Sequence, residues 1–146
     1  MKKIIVREQW CLGCPLCEYF CAFANSGSDD MVKALQNKPI HPRLIVEGDQ
    51  QVSFAVNCRH CEKPLCAAGC IAGALHKEPG GAVLIDQEKC VGCGTCILLC
   101  PYGAIMPSGT GVAQKCALCL DNAFGEPLCV QHCPNRAIVL EEVDEA

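Results

Sequence analysis

The sequence predicts an α+β fold of short strands and short helices, built by internal duplication. Three observations carry this. Sixteen cysteines fall into four groups of four with none left over: Cys11, Cys14, Cys17 and Cys21; Cys58, Cys61, Cys66 and Cys70; Cys90, Cys93, Cys96 and Cys100; Cys116, Cys119, Cys129 and Cys133. A ten-residue unit recurs as CAAGCIAGAL at 66–75, CILLCPYGAI at 96–105 and CVQHCPNRAI at 129–138, with a partial fourth at 17–21. The apolar core is thin: 51% of the 146 residues are hydrophobic, but without the cysteines about 40% remain. Something besides apolar burial must hold such a chain together.

Each cysteine group begins C-x2-C and ends C-x3-C, and only the gap between the two pairs varies. The third run, CVGCGTCILLCP at 90–101, has the spacing of the bacterial [4Fe–4S] run. Three of its thiolates share one tight loop and hold one cubane; the fourth, from a short helix, ligates the other cluster in two-cluster proteins. Disulfides and zinc are the competing uses of so many thiols. Disulfides need an oxidising compartment, yet MKKIIVREQW at 1–10 lacks the apolar run of a signal peptide. No uninterrupted apolar stretch is long enough to span a membrane, so the expected location is cytoplasmic, where thiols stay reduced. Structural zinc gathers two separated two-thiol knuckles. A third thiolate directly after the first two suits a cubane face better, and the C-x3-C-P endings of runs three and four have no role in a zinc knuckle.

Residues 3–6 predict a short strand leading into the first run, CLGCPLCEYFCAFA, where Gly13 and Pro15 tighten the loop. Ala22 stands where a proline is usual. Residues 22–57 carry no cysteine. Ser28 is the expected N-cap of a short helix through Gln36, and Pro39 and Pro42 bound an extended segment. Residues 44–46 and the alternating Val52, Phe54 and Val56, separated by a turn at Gly48-Asp49, predict a hairpin beside the cysteine runs. That hairpin is either a docking surface or a cap that keeps water off the clusters. After the second run, CRHCEKPLCAAGC, a Gly80-Gly81 turn precedes a strand at 82–85. Another turn at 107–111 leads to the fourth run, CALCLDNAFGEPLCVQHCP. Residues 138–140 predict a last strand, followed by a solvated acidic tail over 141–145. In each repeat unit the final Ala-Leu or Ala-Ile pair begins the strand that returns from the cysteine loop.

The formal charge is −4, and each oxidised cubane with four thiolates adds about −2, for roughly −12 in total. Such a surface excludes nucleic acid and suits basic patches on protein partners. No P-loop, dinucleotide fingerprint or Ser-His-Asp set is present.

In this order and with these gaps, the four runs resemble the four-cluster ferredoxin-type electron-transfer subunits of multi-subunit redox enzymes. That group includes the small subunits of molybdenum oxidoreductases, hydrogenases, formate dehydrogenases and tungsten aldehyde oxidoreductases. VNCRHCEKPLCAAGC at 56–70 and KCVGCGTCILLCPYGAI at 89–105 are most similar to the CooF-type iron–sulfur subunit of carbon monoxide dehydrogenase. The resemblance implies a duplicated bacterial 2[4Fe–4S] ferredoxin-like fold in one domain, 1–146. Its halves would be 1–21 with 112–146, and 58–105, with 22–57 as an insertion. It also implies that run one pairs with run four and run two with run three, each pair exchanging its fourth cysteines. One cluster then takes Cys11, Cys14, Cys17 and Cys133, and its neighbour Cys116, Cys119, Cys129 and Cys21. In the other half, one takes Cys58, Cys61, Cys66 and Cys100, and the other Cys90, Cys93, Cys96 and Cys70.

The implied function is a one-electron relay with no catalytic site of its own, since four fully ligated clusters leave no iron open. Its expected partners are a catalytic redox subunit and a second carrier such as a ferredoxin or flavoprotein oxidoreductase. An iron–sulfur redox sensor is the alternative from another class. Gly13, Gly92 and Gly94 are expected amide donors to the clusters. Trp10 is expected to shield one cluster from water or else to serve in docking, and His60 and His132 to lie at the surface or behind the cysteine ligands. Lys89 and Lys115 are expected either to offset cluster charge or, as exposed lysines, to do nothing measurable.

Overall fold

In the computed structural model, which describes residues 1–144, the chain begins as strand β1 (Lys2–Val6). Its run of Ile4, Ile5 and Val6 favours extension. The partner is β8 (Ile138–Glu142), antiparallel, in a register that sets Ile4 opposite Leu140 and Val6 opposite Ile138. The same register sets Lys2 opposite Glu142 and Lys3 opposite Glu141. Opposite charges across a ladder favour its extension. The strand therefore runs past 140, and Glu141 and Glu142 belong to it and not to a solvated tail; Glu141 also pairs with Arg7 at 2.8 Å. Glu145, the last acid of the expected tail, lies outside the described residues.

A 3-10 turn (Glu8–Trp10) delivers the chain to the first run, and α1 (Leu16–Ala24) carries Cys17 and Cys21 one turn apart on one face. Helix α2 (Met31–Leu35) is shorter than expected and is capped by Asp30 in place of Ser28. One Asp30 oxygen accepts the N–H groups of Val32 and Lys33 at 3.0 and 3.2 Å, while Ser28 Oγ accepts the N–H of Asp30. The helix stops because Asn37 turns left-handed, at φ +55°, just before Pro39.

Strands β2 (Ile45–Gly48) and β3 (Ser53–Val56) form the expected hairpin. Its turn is set by Asp49, whose carboxylate accepts the N–H groups of Gln51 and Val52 at 2.7 and 2.9 Å. Two further hairpins share one design. Strands β4 (Leu75–Lys77) and β5 (Val83–Ile85) pair around residues 78–82, and β6 (Ile105–Pro107) and β7 (Ala113–Lys115) around 108–112. In both turns the first residue donates its N–H to the fifth, Glu78 to Ala82 and Ser108 to Val112, at 2.7 and 2.8 Å. Ladder β6–β7 joins residues on either side of the expected boundary between halves.

The remaining helices are single turns: α3 (Leu65–Ala68), α4 (Thr95–Leu99) and α5 (Leu128–Gln131). Helix α1 packs on α5, and α3 on α4. The second contact is close at Gly69, where a Cβ would displace the end of the Leu99 side chain. The result is an α+β fold of four two-stranded antiparallel ladders and five short helices among the described residues. Its larger apolar cluster combines Ile4, Leu44, Ala55, Leu118 and Ile138 with Cys17, Cys21, Cys58, Cys116 and Cys129. A smaller one gathers Leu75, Val83, Cys96, Ile105 and Ala113. Thiols occupy places that apolar side chains fill in an ordinary core.

Candidate metal centres

All four C-x2-C loops turn in the same way. The residue before the second cysteine is left-handed in each: Gly13, His60, Gly92 and Leu118 have φ of +66°, +46°, +72° and +56°. Glycine takes that conformation freely, whereas a side chain there costs about 1–2 kcal/mol. His60 and Leu118 are held in it by burial, at 0% and 7% exposure. In runs two and four the turn aims a backbone N–H at the first thiol of the run. His60 N–H donates to Cys58 Sγ and Leu118 N–H to Cys116 Sγ, both at 3.4 Å.

A second donor serves the last thiol of each run. Ala74, Ala104 and Ala137 donate their N–H to Cys70, Cys100 and Cys133 at 3.3, 3.4 and 3.3 Å. These are the alanines of the ten-residue repeat, and each is at most 1% exposed. Run one departs from the pattern where its sequence does. Asn25 occupies the equivalent position and reaches Cys21 Sγ with its side-chain amide at 3.7 Å, while Arg43 supplies the backbone N–H at 3.2 Å. Sequence reasoning found these alanines as a repeat but missed them as donors.

Among the described residues the cysteines line three small cavities. Cys11, Cys14, Cys17 and Cys133 line one, together with Pro15, Val46 and Pro134. Cys70, Cys90, Cys93 and Cys96 line a second. Cys21, Cys116, Cys119 and Cys129 line a third. Of the remaining cysteines, Cys61 lines a groove with Arg59 and Tyr102, whose side chains stack cation on ring at 4.3 Å. Among the described residues no three His, Cys, Asp or Glu side chains converge tightly enough to hold a single metal ion. The thiols surround a space, as donors to a multi-atom cluster do.

Burial governs their charge. It pushes the thiols of Cys17 and Cys116 up to about 12 and that of Cys21 to about 11, against their backbone N–H donors. Cys129 is pushed higher still, by burial and then by its neighbours Cys21, Cys116, Cys119 and Cys17. Burial likewise raises Cys66, against Lys115, and the nearby Cys58 and Cys100 add to the rise. Cys70 is the contrast. Burial acts to raise it, but amides from Leu75, Ala74, Ala72 and Gly73 outweigh that and hold it below the ordinary thiol value. Thiols this buried become thiolates only beside strong positive charge, which iron supplies. The donor set therefore fits iron–sulfur clusters.

Other expected residues are placed differently. Trp10 is 47% exposed and is not part of the wall around the Cys11 cavity, where Val46 stands with Leu12, Pro15, Pro134 and Ile138; that exposure fits the docking alternative better than the shield. His132 stacks on Phe20, with ring centroids 3.9 Å apart. Lys89 lies 3.4 Å from Asp86 at the surface. His60 and Lys115 are fully buried, which removes the surface alternative for each and leaves the other, a place behind a cysteine for His60 and an offset of cluster charge for Lys115. His60 Nδ1 accepts the N–H of Val83 at 2.9 Å, and Lys115 Nζ donates to the carbonyls of Val83 and Cys116. Nothing in the local sequence signals their burial, which depends on β5 passing between runs two and four.

The short-element fold and its thiol-lined cavities define an iron–sulfur protein of the ferredoxin type. Residues 50–143 match the family described as 4Fe-4S dicluster domain, and the chain belongs to it. It is 35% identical to an iron-sulfur protein of Rhodospirillum rubrum, over 97% of this chain and 82% of that one. It is 35% identical to the electron transport protein HydN of Escherichia coli, over 93% and 85%. It is also 37% identical to the putative oxidoreductase AegA of Escherichia coli, spanning only 21% of that longer protein. Among solved structures it resembles a chain of the active site complex BamBC of benzoyl coenzyme A reductase, at 26% identity and TM-score 0.51. The match covers 97% of this chain and 79% of that one. The chain is thus an electron-transfer iron–sulfur protein of the kind that serves larger oxidoreductases, and it carries four [4Fe–4S] clusters. Among the described residues no helix is long and apolar enough to cross a membrane.

Proposed function

We propose that the protein is a non-catalytic relay, passing single electrons through its four clusters between a catalytic redox subunit and a second carrier. The observation that carries this reading is the set of three cavities, each walled by three thiols of one run and the last thiol of another. They support the exchanged ligation expected above: Cys11, Cys14, Cys17 with Cys133; Cys116, Cys119, Cys129 with Cys21; Cys90, Cys93, Cys96 with Cys70. By the same rule Cys58, Cys61 and Cys66 take Cys100. The fold is then a duplicated two-cluster unit in a single domain, with residues 22–57 inserted. A reducing, cytoplasmic setting suits its unpaired thiols.

Each cluster, when bound, takes up and returns one electron. The chain's own residues supply the rest. Thiols fill the coordination sites, the amides of Ala74, Ala104, Ala137, His60 and Leu118 stabilise the thiolates, and Val46 keeps water from one cavity. Leu65, Ile71 and Leu98, on or beside α3 and α4, and Leu12 and Leu16, on run one, are among the exposed apolar side chains that a docking partner would cover. The second carrier fits a ferredoxin or a flavoprotein oxidoreductase. For the catalytic partner, the motifs at 56–70 and 89–105 favour a carbon monoxide dehydrogenase. A tungsten aldehyde oxidoreductase, hydrogenase or formate dehydrogenase would use the relay in the same way.

The test is anaerobic reconstitution. Alone, the holoprotein is expected to oxidise none of carbon monoxide, aldehyde, formate or hydrogen. Added to a carbon monoxide dehydrogenase catalytic subunit, it is expected to speed electron flow to a ferredoxin, an effect that weakens with salt because the holoprotein is strongly negative. Turnover by the isolated chain would overturn the relay. Coupling only to another of these enzymes would reassign the partner.

A further inference from the structure

Lys115 is 1% exposed. Its Nζ donates to two backbone carbonyls, Val83 on β5 and Cys116 in run four. Among the described residues no carboxylate pairs with it. A buried ammonium with only carbonyl partners is unfavourable, because carbonyl dipoles do not replace either bulk water or a counter-charge. Its neighbourhood is nonetheless rich in groups that become anionic once iron is bound. Cys116 is the next residue. His60, which lies between Cys58 and Cys61, accepts a hydrogen bond from the same Val83 whose carbonyl Lys115 holds. Cys58 and Cys116 share one buried cluster.

We propose that Lys115 is the shared counter-ion of two clusters, the one held by Cys58, Cys61, Cys66 and Cys100 and the one held by Cys21, Cys116, Cys119 and Cys129. This rests on the ligand pairing proposed above. It gives the ammonium its missing anions, and it gives the two clusters on either side of β5 a common electrostatic bias. A reduced cluster carries one more negative charge than an oxidised one, so a fixed cation beside it favours reduction and raises its potential. Lys115 is a positioning residue that biases two adjacent stations together, smoothing passage between the halves. Lys89, at the equivalent place before run three, is exposed and paired with Asp86, so the cluster of that run has no such bias.

The test is an EPR-monitored redox titration of the full-length holoprotein, native against Lys115→Gln. Glutamine keeps a donor for the two carbonyls and removes the charge, which separates pinning from electrostatics. With iron and sulfide content unchanged, two of the four midpoint potentials are expected to move negative and two to stay in place. Four unmoved potentials at full iron content, or four moved equally, would overturn the proposal. If the glutamine variant fails to keep its iron, native protein labelled with 15N at the lysine side-chain nitrogen decides. Hyperfine coupling of that nitrogen to a reduced-cluster signal supports the counter-ion, and its absence removes it. Cys66→Ser and Cys116→Ser identify the signals independently: each should alter one of the two shifted ones. Alteration of unshifted signals would mean the ligand pairing is wrong, whatever Lys115 does.

Discussion

Ala74, Ala104 and Ala137 show what a single backbone amide contributes here. Each offers an N–H to a cysteine four residues earlier, from a site too enclosed for a larger side chain. Charge-assisted hydrogen bonds of this kind are about twice as strong as neutral ones. The thiols themselves make the sharper prediction. Cys21 stands with Cys116, Cys119 and Cys129, far from it in sequence, and Cys133 stands with Cys11, Cys14 and Cys17. Cys21→Ser is therefore expected to convert or abolish the cluster of run four, and Cys133→Ser that of run one, read by EPR and by iron per chain. A Cys21→Ser protein whose damaged cluster belonged to run one would show that each run keeps its own last cysteine.

At the scale of elements, the β2–β3 hairpin and the segment leading into it are tied to run one by three contacts. Glu18 Oε1 accepts the N–H of Val46 at 2.6 Å, Ser53 Oγ donates to the Cys11 carbonyl at 3.1 Å, and Arg43 N–H reaches Cys21 Sγ. Val46 also walls the Cys11 cavity. These contacts favour the cap over the docking surface. Val46→Ser is expected to admit water and oxygen there, so that one cluster of four decays several-fold faster in air while the others keep their native rate. Equal decay of all four would leave the hairpin without a protective role. The hairpin was legible in the sequence because its alternating apolar residues and Gly-Asp turn are local signals. The returning strands were legible for the same reason, through the repeated Ala-Ile pair. The Asp30 cap was not, because Ser28 and Asp30 are both good caps and only the helix start separates them. Nor were the burial of His60 and Lys115 and the exposure of Trp10, which depend on contacts between elements distant in sequence.

At the scale of the molecule, thiols fill so much of the interior that metal and fold are one problem. Burial holds thiols such as Cys17 and Cys116 protonated unless iron is present. Metal binding is then folding free energy. Anaerobic chelation of iron is expected to abolish the native far-UV circular dichroism, and iron with sulfide to restore it. A chelated chain that kept a cooperative thermal transition would show that the apolar clusters stand unaided.

The first strand of this protein pairs with the last. On the ribosome, residues 2–6 emerge before any partner exists and must wait for 138–142, an interval on the order of ten seconds at usual synthesis rates. The hairpins at 75–85 and 105–115 need no such delay. Maturation therefore runs from the middle of the chain outward, and the earliest thiols to leave the ribosome are among the last to be enclosed. A cell making this protein must keep those thiols from oxidation and stray metals throughout that wait.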